Sequence, residues 1–146
     1  MANTVKLKVF ADIVEQAVAA GAITPGMLVE RTSANLVQAH STPSGAAQKM
    51  FAVEDSMQGR GLTDDYAATE PVQLWLPQAG EVVQGIADPT TGTVIAIGDK
   101  LVSAGDGTLK VYVAPASSSD VLAADCIIGV ALEAADAGET FAVEII

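Results

Sequence analysis

The sequence predicts an all-β protein that folds as one domain, either a sandwich or a barrel. Short apolar segments follow one another along the chain with turn signals between them, a pattern typical of all-β folds. Spacing of the strand–helix–strand kind does not occur. Half of the 146 residues are apolar but only 4% are aromatic. The core is therefore made mostly of small branched side chains, which suit pleated sheets.

Two segments of different character open the chain. Residues 4–10 (TVKLKVF) alternate apolar residues with lysines, and this alternation predicts a half-buried strand. A strand in that position, with its lysines outward, is equally able to pair with another chain. Residues 11–21 place apolar side chains at helical spacing and end at Gly21. They predict a short helix or an irregular arm.

The remainder of the chain reads as strands separated by turns. Pro25–Gly26 and Asp106–Gly107 are turn signals. Residues 40–47 form a polar loop, and residues 114–125 form a loop or a frayed helical turn. The predicted strands are 27–31, 36–39, 49–53, 72–76 and 81–87, then a hairpin around residues 105–107 and two closing strands joined by residues 134–138.

This order of elements divides the chain into two parts. Residues 1–20 are predicted to be an N-terminal strand or arm, and residues 21–146 a β domain. The β domain is predicted to be a sandwich or barrel, jelly-roll or β-tulip-like in arrangement.

The placement of charge separates the chain into a neutral part and an acidic part. Residues 1–60 carry five basic and five acidic residues, whereas residues 61–146 carry two basic and thirteen acidic ones, which gives the net charge of −11. No basic patch is present to neutralise phosphates, so we expect no nucleic-acid partner. The neutral part is where a protein partner is more easily accommodated.

The cysteine content and the hydropathy of the chain argue against a disulfide-stabilised, membrane-spanning or secreted protein. Cys126 is the sole cysteine and lies beside two isoleucines, so we predict a buried thiol and no internal disulfide. The longest aliphatic run, Cys126–Leu132, is far shorter than a membrane span. Asp12 and Glu15 interrupt the apolar stretch near the start, which argues against a secretory signal. We expect a soluble protein, made in the cytoplasm, with no membrane partner.

The sequence offers little for catalysis. His40, the one histidine, lies in a Ser/Thr/Pro loop and is predicted to be solvated. The segment GRGLTD lacks the third glycine of a nucleotide-binding fingerprint. Glu54–Asp55 and Asp64–Asp65 are adjacent pairs, and neighbours on a strand point to opposite faces, which argues against paired catalytic acids. We predict that they are solvated loop carboxylates. We therefore predict no enzymatic activity, no cofactor and no metal site.

Residues 48–67 (QKMFAVEDSMQGRGLTDDYA) combine apolar and charged side chains more densely than the rest. Phe51 is predicted to belong to the core. Met57 lies among polar residues and is predicted to be an exposed, adaptable apolar contact. Arg60 stands between two glycines and is free to form a bidentate pair with a carboxylate of a partner. This stretch favours a surface that binds another protein over an active site.

Several long segments resemble the capsid decoration, or cement, proteins of tailed bacteriophages. The matching segments are EQAVAAGAITPGMLVE (15–30), AAQKMFAVEDSMQGRGLTDDYAATEPVQLW (46–75), GDKLVSAGDGTLK (98–110) and IIGVALEAADAGETFAVEII (127–146). The resemblance implies an all-β, non-enzymatic protein on the outer surface of the phage head. It also implies two partners, the major capsid protein and further copies of this chain in a homotrimer, and a role in stabilising capsid junctions against the pressure of packaged DNA.

Subunit binding is the first interpretation of this sequence, and two other functions compete with it. We predict that residues 2–20 dock on a neighbouring chain, and that deleting residues 2–12 leaves the β domain folded. A carbohydrate-binding or adhesion module is the alternative, for which Trp75 is the one serious aromatic platform. A small hydrolase is a weaker third interpretation. The candidate interface residues are Val5, Leu7, Val9, Phe10, Met57 and Arg60.

Overall fold

The computed structural model describes residues 3–114 and 126–146. In these residues the fold is almost entirely β, which confirms the predicted class. The predicted loop at 114–125 lies outside the described residues, apart from its first residue. The strands are β1 Lys6–Lys8, β2 Val14–Ala19, β3 Val29–Arg31, β4 Leu36–Ala39, β5 Phe51–Val53, β6 Pro71–Trp75, β7 Val82–Ile86, β8 Val94–Ile95, β9 Lys100–Ser103, β10 Leu109–Val111, β11 Gly129–Ala131, β12 Ala135–Asp136 and β13 Thr140–Ile145, with a 3₁₀ turn at Ser56–Gln58.

Five strands from the first half of the chain close into a small barrel. They lie in the order β3-β4-β2-β6-β5, antiparallel except for the parallel pair β2 and β4. Backbone hydrogen bonds between residues 26–29 and 50–52 then join the two outer strands, with Leu28 bridged to Phe51. Closure leaves neither outer strand with a free edge along this stretch.

Small side chains fill the barrel. A five-stranded barrel has a narrow interior, and alanine and valine supply most of the inward-facing positions. Tyr66 donates a hydrogen bond from its hydroxyl to the carbonyl oxygen of Val53, at 2.6 Å, which satisfies the polar end of a buried ring. The buried cluster inside the barrel is Ala17, Ala19, Ile23, Val29, Val37, Met50, Ala52, Tyr66, Val72 and Leu74.

The second sheet has six strands in the order β1-β7-β13-β11-β9-β10, and each neighbouring pair is antiparallel. The sheet curls, because Ala87, which follows β7, makes a bridge to Leu109 of β10. The short strands β8 and β12 pair with each other beside it. The predicted hairpin at residues 105–107 connects β9 to β10, as expected.

The main core lies between the barrel and the curled sheet. Phe51, Val53 and Trp75 project outward from the barrel wall and belong to the same buried cluster as Val83 and Phe141 of the curled sheet. The predicted strand at 72–76 alternates between two environments, since Val72 and Leu74 lie in the barrel and Trp75 lies in this core. Strand β5 is buried on both faces, which explains its uninterrupted apolar sequence.

The segment at 11–21 departs from its prediction, because it forms strand β2 rather than a helix or an irregular arm. β2 pairs with β6 on one side and with β4 on the other. Its buried residues are Ala17 and Ala19, at the spacing of a strand. Pairing on both sides outweighs the weak helical pattern of a short segment. The division of the chain at residue 20 stays a prediction, although β1 and β2 both pair with later strands of the same chain.

Burial corrects three predictions about single side chains and confirms one. His40 is 2% exposed rather than solvated, and Asp55 is also buried. Trp75 is fully buried, so it is not available as a platform for glycans. Cys126 is buried, as predicted. His40 contacts Ser103, and Trp75 packs in the main core, so contacts that are distant in sequence cover these two side chains.

Candidate functional site

The loop that follows β5 has a compact local structure. Asp55 precedes the 3₁₀ turn, and its carbonyl oxygen accepts hydrogen bonds from the N–H groups of Gln58 and Arg60, at 3.1 and 3.0 Å. Gly59 ends the turn with a positive φ of 73°, a conformation that glycine adopts without strain. This geometry holds Met57 at the tip of the turn, where the side chain is 95% exposed.

Arg60 finds its carboxylate within the chain. Its two terminal nitrogens contact the two oxygens of Glu70 at 2.9 and 3.0 Å, in the bidentate arrangement that arginine favours. The same carboxylate accepts the N–H of Ala67 at 2.8 Å. The Arg60 guanidinium, followed by this backbone hydrogen bond, lowers the pKa of Glu70 from 4.5 to about 2. The pair fixes the far end of the loop against the start of β6.

Buried and half-buried carboxylates hold the N-terminal segment to the rest of the molecule. Glu54 accepts the N–H of Val5 at 3.1 Å. Glu81, which is fully buried, accepts backbone N–H groups of Phe10, Ala11 and Gln78. Burial by itself raises the pKa of Glu81, but these three donors outweigh it, so the pKa lies below its ordinary value. The segment is therefore fixed through its backbone.

Fixing the backbone leaves apolar side chains facing outward. The exposed ridge, as we call residues 9–14, presents Val9, Phe10, Ile13 and Val14 at 39%, 69%, 45% and 44% exposure. Val14 and Met57 line the same depression of about 280 Å³, together with Lys6. The structure thus brings the ridge and the tip of the loop to one surface. A cluster of exposed large apolar side chains is characteristic of interaction surfaces.

The six candidate residues divide into three groups by position. Val9, Phe10 and Met57 are exposed. Leu7 and Arg60 are half-buried, and Arg60 already has a carboxylate partner in its own chain. Val5 is fully buried and belongs to the main core. The sequence reasoning missed Ile13, which precedes β2, and Val14, which lies on the face of β2 opposite the buried Ala17 and Ala19.

A comparison of structures becomes informative at this point. The chain shares its fold with a protein of a bacteriophage head. That protein is the N base of the head fibre gp8.5 of bacteriophage phi29, with a TM-score of 0.61 and 16% sequence identity over 93% of this chain and 95% of that one. No model of a protein family matches the sequence, and no curated protein sequence matches it.

This similarity concerns the fold. It extends over nearly the whole of both chains, so the barrel and the curled sheet are both included.

One internal cluster contains the side-chain types of a hydrolase triad. His40 Nδ1 lies 2.7 Å from Ser103 Oγ, and His40 Nε2 lies 3.7 Å from a carboxylate oxygen of Glu30. Ser103 is fully buried, and its Oγ also accepts the N–H of Gly105. His40 Nε2 additionally lies 3.2 Å from the carbonyl oxygen of Ala46. The nucleophile position is closed to substrate, so these contacts hold the 40–46 loop against β9.

Within residues 3–114 and 126–146, no group of three or more His, Cys, Asp or Glu side chains is arranged to hold a metal ion. In the same part of the chain, no helix has the length and hydropathy needed to cross a membrane.

Proposed function

We propose that this chain is a non-enzymatic structural protein of a phage virion, a decoration (cement) protein that binds the outer surface of the head and stabilises the junctions between major capsid subunits. The observation that carries the proposal is the fold shared with a phage head-fibre base over more than nine-tenths of both chains. The segments that resemble decoration proteins support it independently.

The exposed ridge and Met57 are the surface that we assign to subunit contacts. The exposed carboxylates of and beside the ridge are paired, Asp12 with Lys6 and Glu15 with Arg31, so a partner meets little unbalanced charge there. Phe10 and Met57 are large, apolar and mostly exposed, and residues of these types are enriched in the cores of protein interfaces. The ridge is held rigidly by Glu81, which reduces the entropy lost on binding.

A trimer is the assembly that we propose for this surface. Three copies related by a threefold axis match a local threefold position in a shell. Each contact after the first forms at high effective concentration, so several weak contacts give stable attachment. Opening a capsid junction would then require the loss of all contacts that span it.

Binding to heads tests the proposal directly. Purified protein is mixed with heads of the encoding phage that lack it, and the pellet is assayed for the protein. We expect saturable pelleting of the parent. We expect Phe10→Ser and Met57→Ser to weaken it at least tenfold, while Val94→Ser, a matched exposed apolar residue outside the ridge, leaves it unchanged. Absence of pelleting by the folded parent would refute the proposal.

Light scattering tests the trimer separately. The parent should have three times the mass of one chain, either free or when released from heads, and Phe10→Ser should reduce that mass. Point substitutions are preferable to deleting residues 2–12. The deletion removes Val5 from the main core, so a loss of binding would be confounded with a loss of stability.

A further inference from the structure

A second concave surface lies where the barrel meets the curled sheet. It is a groove of about 530 Å³, within the usual size range of ligand pockets, and none of its lining residues belongs to the exposed ridge. Its apolar lining includes Met27, Leu62 and Ile86. A Cβ on Gly26 would lie 3.0 Å from the carbonyl oxygen of Gln84, so the two halves of the molecule are in close contact there.

The groove is lined by negative charge and by no positive charge among the described residues. Asp65 is exposed and is the one charged residue that lines it, and no lysine or arginine lines it among the described residues. Asp65 takes part in none of the ion pairs of the described residues. Asp64, Asp88 and Glu139 are direct neighbours in sequence of lining residues. The groove therefore favours a cationic occupant.

A buried amide also belongs to the lining of the groove. Gln84 is 5% exposed, and its Nε2 donates a hydrogen bond to Thr140 Oγ1 at 3.0 Å. Its Oε1 has no hydrogen-bond partner in the described part of the chain. A buried acceptor without a donor is unfavourable, and Gln84 lines the groove. Because that oxygen is itself buried, an N–H donor in the groove reaches it only if the Gln84 side chain rotates.

We propose that this groove binds a segment of the major capsid protein that carries one lysine or arginine among small apolar residues. The inference rests on the proposed function, because it assigns the partner of a head-bound protein. The apolar lining accommodates the small side chains, and Asp65 pairs with the cationic group. A second copy of this chain is a poorer occupant. Its net charge is −11, so its acidic residues would be repelled by an acidic groove.

A peptide titration tests the groove without using heads. The probes are acetyl-Val-Lys-Ala-amide and its glutamate counterpart, added to isotopically labelled full-length protein and followed by amide chemical shifts. We expect the lysine peptide to shift the amides of Leu62, Thr63 and Ile86, and the glutamate peptide to leave them unchanged. Asp65→Lys should weaken the lysine-peptide response at least tenfold, and Glu144→Lys, a matched charge reversal outside the lining, should not.

Head pelleting with the same variants identifies the occupant. Asp65→Lys, and Thr63→Trp as a variant that fills the groove, should each pellet at least tenfold more weakly, while Glu144→Lys pellets like the parent. Normal pelleting by both groove variants would overturn the capsid assignment. A change in mass by light scattering for Asp65→Lys would also overturn it, because the occupant would then be a second copy. A lysine peptide that shifts no groove amide would overturn the site itself.

The two proposals fail in different ways. If the parent does not pellet with heads but the lysine peptide binds the groove, the proposed function fails and the capsid partner fails with it. If the parent pellets and the groove variants pellet equally well, the proposed function stands and this inference alone is wrong.

Discussion

At the scale of single residues, carboxylates act as hydrogen-bond acceptors for the backbone of this chain. Glu54 and Glu81 accept N–H groups from residues 5–11, although 49 or more positions separate the partners in sequence. Glu70 combines this role with a bidentate pair to Arg60. Such charge-assisted bonds are stronger than neutral ones, so they hold segments whose apolar side chains face outward.

The Arg60–Glu70 pair gives stability a specific dependence on pH. The folded pKa of Glu70, about 2, lies below the ordinary 4.5, so its stabilising contribution is complete above pH 4.5 and is lost as the pH falls toward 2. We expect urea unfolding to show the parent more stable than Glu70→Gln at pH 7, with the difference shrinking between pH 4.5 and 2. Glu144→Gln is the control, because Glu144 forms no ion pair among the described residues. A difference that stays constant over this range would contradict the account.

Glu81 should contribute more to stability than an exposed carboxylate with one partner. In Glu81→Gln the amide NH₂ replaces one acceptor oxygen opposite backbone donors, and a buried unsatisfied group costs about 1–3 kcal/mol. Hydrogen exchange at Phe10 and Ala11 should become faster. Glu133→Gln is the matched control, since Glu133 is exposed and accepts one N–H, from Ala142. Equal losses of unfolding free energy in the two variants would show that the buried cluster has no special role.

At the scale of elements, the positions of most strands were predictable from the sequence, whereas the pairing of one strand with another was not. Turn residues and period-two alternation located most strands correctly, and the hairpin between β9 and β10 followed from the Asp-Gly signal at 106–107. The segment now known as β2 was not identified, because a short alanine-rich stretch fits either period and only pairing with β4 and β6 decides it. Barrel closure between residues 26–29 and 50–52 likewise depends on contacts that are distant in sequence.

At the candidate site, sequence reasoning found the features that depend on neighbouring residues and missed those that depend on contacts distant in sequence. Met57 was identified because its neighbours are polar, which is a local property. The intramolecular partner of Arg60 was missed because it depends on the folded position of Glu70, at the start of β6. His40 was misplaced for the same reason, since Ser103 lies 63 positions away in sequence. The groove beside Asp65 could not be predicted, because its lining residues come from segments that are distant in sequence.

Packing inside the curled sheet gives a prediction for β11. A Cβ on Gly129 would overlap the carbonyl oxygen of Glu144 on β13 and would crowd a methyl group of Val143 at 2.8 Å. Because the first contact is with backbone, relief requires the two strands to separate. We expect Gly129→Ala to destabilise by roughly 1–3 kcal/mol or more, measured by urea unfolding.

A glycine with open space around it is the control for that substitution. A Cβ on Gly21 would have no atom within 4 Å, so Gly21→Ala should change the unfolding free energy by far less. If the two substitutions had similar effects, the close approach of β11 and β13 would not be the cause.

At the scale of the whole molecule, the chain combines a rigid β body with two surfaces of different character. One is the exposed ridge with Met57, apolar and placed in the neutral part of the chain. The other is the acidic groove beside Asp65. A protein that spans a junction needs more than one contact surface, and simultaneous contacts raise the overall affinity without any single strong one.

The most direct test of the central claim is a cryo-electron microscopy comparison of heads from the encoding phage with and without an intact gene for this chain. We predict additional density on the outer surface of parental heads, lost on deletion of the gene and restored by adding the purified protein, into which the barrel and curled sheet fit as a trimer. Deletion heads should also release their DNA at lower temperature. Identical reconstructions of the two kinds of head, from a phage that expresses the protein, would contradict the account.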